Sequence, residues 1–246
     1  MTRGSVYAVL SDLHGNLYAL ESVARDLERR GVAGIFLLGD LIDYGMQSNE
    51  VVAYIRENWR GRVLCNLWGN HERAILTEDY THFSSRRGVE SARHTAAQLS
   101  GESRRYLESE LTQEGCLELE LEGKRILAVH GSQEDPFWRA IEPGQLRGDY
   151  GAYDVVLSGH SHYAHVFSQF YEADDPARRN KHETRFINPG SVGQPRNHSP
   201  AAQYALFEPQ TMAVSLRAVP YDVDAAMALF DGSVDDFYRA RLKTGV

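Results

Sequence analysis

The sequence predicts an α/β protein: a parallel sheet with helices laid against it, and a second sheet beside the first. Three observations carry that prediction. Short apolar runs recur along the chain, amphipathic stretches of helical length separate the first three of them, and almost every run ends in a polar cluster. Runs this short, bounded by glycine, read as buried strands. Strand–helix–strand alternation reads as parallel pairing, because parallel neighbours need a crossover between them.

The elements follow in order. Val6–Leu10 is the first strand and leads into Ser11-Asp12-Leu13-His14. Asn16–Arg30 is a helix in which Leu17, Leu20, Ala24 and Leu27 share a face, with Gly31 as its stop. Ile35–Leu38 precedes Gly39-Asp40, and Ser48–Trp59 reads as a second helix capped by Ser48 and buried through Val51, Val52 and Ile55. Val63–Leu67 precedes Trp68-Gly69-Asn70-His71. Residues 77–111 are charge-rich and helical in pattern, a flank or cap broken at Gly101. Leu117, Leu119 and Leu121 alternate with Glu118, Glu120 and Glu122, and Gly123-Lys124 turns that strand back into Arg125–Val129. Val155–Leu157 and Phe186-Ile187 are further buried runs, and Ala202–Phe207 pairs with Ala213–Val219 through Glu208-Pro209-Gln210. These hairpins, added to six strand-end clusters, ask for two sheets. The segment 222–246 is acidic and weakly helical, expected on the outside. No linker divides the chain, so 1–246 is read as one domain.

Composition narrows the function classes. Hydrophobic residues make up 42% and charged residues 24%, as in ordinary globular proteins. With 34 acidic against 26 basic residues the net charge is −8, the wrong sign for a general nucleic-acid binder. The apolar start is too short for a signal core and no run approaches the ~20 residues of a membrane helix. Two cysteines make no disulfide framework. A cytoplasmic protein with no membrane contact is the expectation, and homo-oligomerisation is left open.

Ten histidines stand out, and five of them end strands. The strand-end residues are Asp12 and His14, Asp40 and Asp43, Asn70 and His71, His130, then His160 and His162. All are oxygen or imidazole donors, and function in parallel sheets gathers at the strands' carboxyl ends. In Asp12-Leu13-His14 and His160-Ser161-His162 the two-residue spacing on an extended backbone aims both side chains to one side. One such cluster alone is an ordinary turn. A ligand-competent residue at every strand end is not.

Asp12-x-His14, Gly39-Asp40-x-x-Asp43, Gly69-Asn70-His71-Glu72, His130-Gly131 and Gly159-His160-Ser161-His162 together resemble the calcineurin-like metallophosphoesterases. The likeness covers residues 6 to 196, in order. It implies a four-layer α/β/β/α sandwich of two mixed sheets with the site at the strand ends. The loop Asn188–Arg196 is similar to that of the small prokaryotic phosphodiesterase branch.

Carried over by position, the resemblance implies two divalent metal ions. Asp12, His14, Asp40 and His162 would hold one; Asp40, Asn70, His130 and His160 the other. Two such ions clamp a phosphoryl group and activate a water between them. With two aspartates and a hydroxide the centre keeps about one positive charge, a local attraction for phosphate in an acidic protein. Manganese is the first expectation, with iron, zinc or nickel compatible. His71 is implied as general acid, with Asp43 orienting it.

The likeness extends to protein serine/threonine phosphatases, but Tyr44 and Trp68 stand where those carry phosphate-gripping arginines. Arg73 and Arg196 are the candidate replacements. The expected function is therefore hydrolysis of a small phosphodiester, with a nucleotide-like substrate left open. The alternatives are a phosphomonoesterase, a protein-phosphatase-like enzyme, a dinucleoside polyphosphate hydrolase, or a scaffold that keeps the fold without catalysis. Residues 77–111 and the loop 132–153, with Phe137 and Trp138, are expected to wall the site. The remaining histidines, His82, His94, His165, His182 and His198, receive no metal role.

Overall fold

A computed structural model describes residues 4–246; Met1 to Arg3, the start of the single domain read over 1–246, lie outside the described residues. The first sheet has the order β10 (Ala213–Val219), β9 (Ala202–Glu208), β1 (Tyr7–Leu10), β2 (Gly34–Leu37), β3 (Val63–Asn66). β1, β2 and β3 run parallel, and β9 and β10 join antiparallel as a hairpin. The second sheet has the order β4 (Cys116–Leu121), β5 (Lys124–Val129), β6 (Val155–Ser158), β8 (Lys181–Asn188), β7 (His165–Glu172). Its middle strands are parallel and both edges antiparallel.

Strand alternation explains how the sheets stack. Ala8, Leu10, Ile35 and Leu37 face the helices α1 (Leu17–Arg30) and α2 (Ser48–Asn58), where Leu20, Leu27, Val51 and Ile55 meet them. Tyr7, Val9, Phe36 and Leu38 point the other way, against Ile126, Ala128, Val155, Leu157 and Ile187 of the second sheet. Asn16 caps α1 by accepting the Ala19 N–H at 3.1 Å, and Gly31 closes it.

The expected two-sheet sandwich is present, with differences that have physical causes. The outer face of the second sheet is covered by residues 131–154, which hold no α-helix; Ile141, Tyr150 and Tyr153 from this segment pack on Leu127, Val156 and Phe186. Ser48 is not a cap but the first residue of α2, and its hydroxyl instead accepts the Asp43 N–H at 3.0 Å. The flank forms the two expected helices, α4 (Arg86–Gln98) and α5 (Gly101–Ser109), preceded by α3 (Asn70–Thr77). The break falls at Leu99-Ser100, where Ser100 caps α5; Gly101 already lies inside the helix. The acidic segment folds as α6 (Val223–Ala228) and α7 (Asp236–Thr244) and is not merely external. Tyr238 is buried and stacks on Tyr44, with ring centroids 4.2 Å apart. β7 was not legible as a strand, because it is an edge whose residues are mostly exposed.

Candidate active site and metal centre

All seven ligands implied by the resemblance converge at the carboxyl ends of β1, β2, β3, β5 and β6. Three overlapping groups place ligand atoms within 4.8 Å of one another: Asp12, His14 and His162; His14, Asp40 and His71; Asp40, His130 and His160. Asn70 joins the last group, its Oδ1 lying 3.0 Å from His130 Nε2 and 2.9 Å from His160 Nδ1. Asp40 Oδ2 lies 3.8 Å from His14 Nε2 and 3.4 Å from His130 Nε2, between the two ends of the cluster.

The local backbone is not the extended one that the two-residue spacing suggested. Asp12, His14, Asp40, Asp43, His160 and His162 all adopt positive φ, between 45° and 74°. Left-handed turns past the strand ends, rather than strand alternation, bring each pair together, and Leu13 turns into the core between its neighbours. Asp and His tolerate this region better than most residues, but each still costs about 1–3 kcal/mol that surrounding contacts must offset.

Those contacts are specific. The Glu72 carboxylate accepts N–H groups from Asp40 (2.9 Å), Leu41 (2.7 Å), Ile42 (3.2 Å) and Gly69 (2.8 Å), fixing the turn that carries Asp40. Gly69 is required by close approach, since a Cβ there would sit 2.1 Å from Asp40 Oδ1. The loop Asn188–Arg196 braces the Asp12 turn: Gly193 N–H and Ser191 Oγ–H both donate to the Asp12 carbonyl, at 3.0 and 2.7 Å.

The donor chemistry fits cations. His14, His130 and His162 each donate Nδ1–H to a backbone carbonyl, of Ile42 (3.2 Å), Leu38 (2.7 Å) and Gln194 (2.6 Å). This leaves Nε2 as the inward ligand atom, the usual support for a metal-binding imidazole. His14 Nε2 and His162 Nε2 then face each other at 3.3 Å, and the buried Asp12 Oδ1 has no hydrogen-bond partner. Opposed lone pairs beside an unpartnered carboxylate oxygen are satisfied by a shared cation. The charges agree. Burial lowers His14 and His160 to about 3 and holds His162 well below the ordinary imidazole value, so these rings are neutral ligand donors. Burial raises Asp12 to about 6. At His130 burial opposes the charge, but Asp40 and Asp12 outweigh it and raise the ring to about 9, so a cation entering here displaces a proton.

Beside the cluster, His71 Nδ1 and Asp43 Oδ2 are 2.6 Å apart, both groups buried. Burial would neutralise them, but the Asp40 and Asp43 carboxylates raise His71, and the His71 ring with the Ser91 hydroxyl lowers Asp43. An imidazolium–carboxylate pair results, with His71 Nε2 on the cavity side and 4.0 Å from Asp40 Oδ2.

A cavity of about 270 Å³ opens over these groups, lined by Asp40, Asn70, His71, His160 and His162 on its floor and by Tyr44, His82, Phe83, Ser84, Trp138 and Arg196 on its walls. Arg196 is half-buried with Nε unpartnered. Arg73 is not brought to the cavity. It lies two residues from His71 on α3, hence on another face of the helix, and its guanidinium rests over Phe137 at 4.5 Å. The Phe137-Trp138 pair is divided: Phe137 is core, while Trp138 lines the cavity and stacks on His82, centroids 5.3 Å apart. His82 was passed over in sequence because nothing near it has ligand spacing. Ser91 and Thr95 were missed as well. From α4 they donate to Asp43 Oδ1 at 2.6 and 2.9 Å. Trp68 is buried, donating Nε1–H to the Leu107 carbonyl at 2.7 Å, so it leaves the phosphate side empty of an arginine.

Two mixed sheets with a His/Asp cluster at their strand ends define a metallohydrolase of the phosphoesterase kind. Residues 6–212 match the calcineurin-like phosphoesterase superfamily domain, and the chain belongs to that family. It is a hydrolase of phosphoric esters. A protein of Methanocaldococcus jannaschii without an assigned function is 30% identical over 227 residues, 90% of each chain. The crystal structure of a metallophosphoesterase from Sphaerobacter thermophilus is 26% identical, with a TM-score of 0.76 over 99% of this chain and all of that one. A hypothetical protein of Pyrococcus horikoshii shares the fold at 21% identity, with a TM-score of 0.81 over 98% of this chain and 99% of that one. Among the described residues no helix is long and apolar enough to cross a membrane.

Proposed function

We propose that the protein is a phosphodiesterase for small, nucleotide-like diesters, working with two divalent metal ions. Asp12, His14, Asp40 and His162 would hold one ion and Asp40, Asn70, His130 and His160 the other, manganese being favoured for an oxygen and imidazole donor set and iron, zinc or nickel compatible with it. When bound, the pair supplies positive charge at the phosphoryl oxygens and an acidified water as nucleophile.

The chain's own groups do the rest. Arg196 grips a phosphoryl oxygen from the wall. His71 holds a proton at Nε2 for the departing oxygen, and Asp43 keeps that ring oriented through Nδ1. The stacked Trp138 and His82, with Phe83, give a planar ester arm a surface to lie on.

One observation carries the diester preference: Arg196 is the one guanidinium on the described cavity wall, and Tyr44 and Trp68 replace two others. A diester carries one negative charge where a monoester carries two, so it needs fewer cationic contacts and more surface for its second arm. The free thiols Cys65 and Cys116 suit a reducing cytoplasm. A panel of bis(p-nitrophenyl) phosphate, p-nitrophenyl phosphate, cyclic nucleotides and dinucleoside polyphosphates, assayed with each metal, tests the reading. Diester kcat/KM is expected at least roughly tenfold above monoester. Monoester preference, or no hydrolysis with any metal, rejects it.

A further inference from the structure

α4 lies outside the two sheets, yet it reaches the acid. Ser91 and Thr95 are one helical turn apart on its buried face, and both hydroxyls converge on Asp43 Oδ1, at 2.6 and 2.9 Å. The other oxygen, Oδ2, meets His71 Nδ1 at 2.6 Å. Asp43 itself sits at φ +74°, with its N–H donated to Ser48 Oγ at 3.0 Å. Every polar atom of this side chain therefore has a fixed partner, and two of the donors come from a helix that holds no expected ligand.

From this juxtaposition we infer that Ser91 and Thr95 are positioning residues for the general acid. Two hydroxyl donors on Oδ1 fix the plane of the Asp43 carboxylate, which leaves Oδ2 aimed at His71 Nδ1. That contact in turn fixes which way His71 Nε2 points. A carboxylate free to rotate would let the imidazole ring swing, and Nε2 would lose its aim at the leaving oxygen. The loop that enters α4 strengthens the case. It lays His82, Phe83 and Ser84 on the cavity wall, and the Phe83 ring stands edge-on to His71 with centroids 5.1 Å apart. One segment thus both lines the leaving-group side and orients the acid that serves it.

The inference rests on the proposed phosphodiesterase chemistry, and its test has one arm that does not. In zinc-loaded protein, the His71 Nδ1–H proton, recognised by its loss in His71→Gln, should resonate far downfield because of its short bond to a carboxylate. In Ser91→Ala/Thr95→Val that resonance should move upfield or vanish by exchange, and Ser91→Thr/Thr95→Ser should restore it. An unchanged resonance overturns the inference. The kinetic arm compares leaving groups. On a dinucleotide, whose alkoxide needs a proton to leave, the double variant should lose roughly 10- to 100-fold in kcat. On a nitrophenyl diester, whose phenolate leaves unaided, the loss should stay under about threefold with metal content unchanged. Equal losses on both substrates, or none on either, overturn it. If the unmodified protein hydrolyses no diester, the functional reading fails and the resonance alone decides the positioning role.

Discussion

The two sheets furnish chemically different halves of one pocket. The loops after β1, β2 and β3 bring Asp12, Asp40 and Asn70 with one expected ligand imidazole, His14, and the adjacent His71, while those after β5 and β6 bring His130, His160 and His162. Among the expected ligands, negative charge thus lies on one side and most of the imidazole on the other. Closing the sandwich therefore sets ring nitrogens against carboxylates rather than carboxylates against each other, and a cation held as proposed would join the two sheets.

Removing Asp40, the oxygen ligand proposed to be shared, should break this division most severely. Asp40→Asn is expected to lower diester turnover by roughly 10³-fold or more and to reduce metal content together with it. Metal analysis beside the assay checks this, and a variant that keeps both metals and full turnover would remove Asp40 from the bridging position. Next in size, His71→Gln should cost about 10²–10⁴ in turnover of a dinucleotide, whose alkoxide needs a proton to leave, while both metals remain bound, because the ring is proposed to serve the leaving group and not the cations. Retained activity there would mean another group supplies the proton.

The sheet-joining role has its own measure. At a hundredfold excess over its dissociation constant a cation contributes about 2.7 kcal/mol, so chelation should lower Tm by roughly 5–10 °C in a chain of this size. Equal melting of loaded and stripped protein would show that the sheets close without it.

The smallest effect on activity belongs to a carboxylate elsewhere. Asp26 on α1 accepts hydrogen bonds from Arg29 and Arg30, at 2.9 and 2.8 Å, and from the Tyr204 hydroxyl. Burial alone would raise its pKa, but these donors hold it well below the ordinary value. Its folded-state pKa is depressed, so its stabilisation is present above pH ~3.9 and is lost as pH falls through the folded value. Asp26→Asn should cost about 1–3 kcal/mol in urea melts at neutral pH, with the gap from the unmodified protein narrowing only as pH falls below ~3.9 towards the depressed folded value, and turnover per folded molecule unchanged. A gap that persists in acid would assign the loss to packing instead of charge.

The donor half of the site was legible in sequence because residue type and strand-end position coincide at Asp12, Asp40, Asn70, His130 and His160. The supporting half was not. Glu72 lies within a recognised block, but its grip on four backbone N–H groups appears only when two loops meet. Ser91 and Thr95 sit in a polar helix where hydroxyls are commonplace, and Arg73 was placed by nearness in sequence, which a helix turns into a different direction. The pairing of Asp12 with His14 was anticipated on the premise of an extended strand, whereas the turn that achieves it is left-handed. Short-range pattern names the donors; what holds them is tertiary.

The brace between the Asp12 turn and the Asn188–Arg196 loop bears on the order in which the molecule matures. A Cβ on Gly193 would lie 1.8 Å from the Leu13 carbonyl, so the two backbones are interlocked across some of the longest sequence separations in the fold. On the ribosome, Asp12, Asp40 and Asn70 emerge well before residue 196 does. Until that loop arrives, the Ser11 and Asp12 carbonyls lack their partners and His162 has no Gln194 carbonyl to set its tautomer. Competence for hydrolysis is thereby acquired late in synthesis, after the strands that carry the donors, β1 to β3, β5 and β6, have emerged.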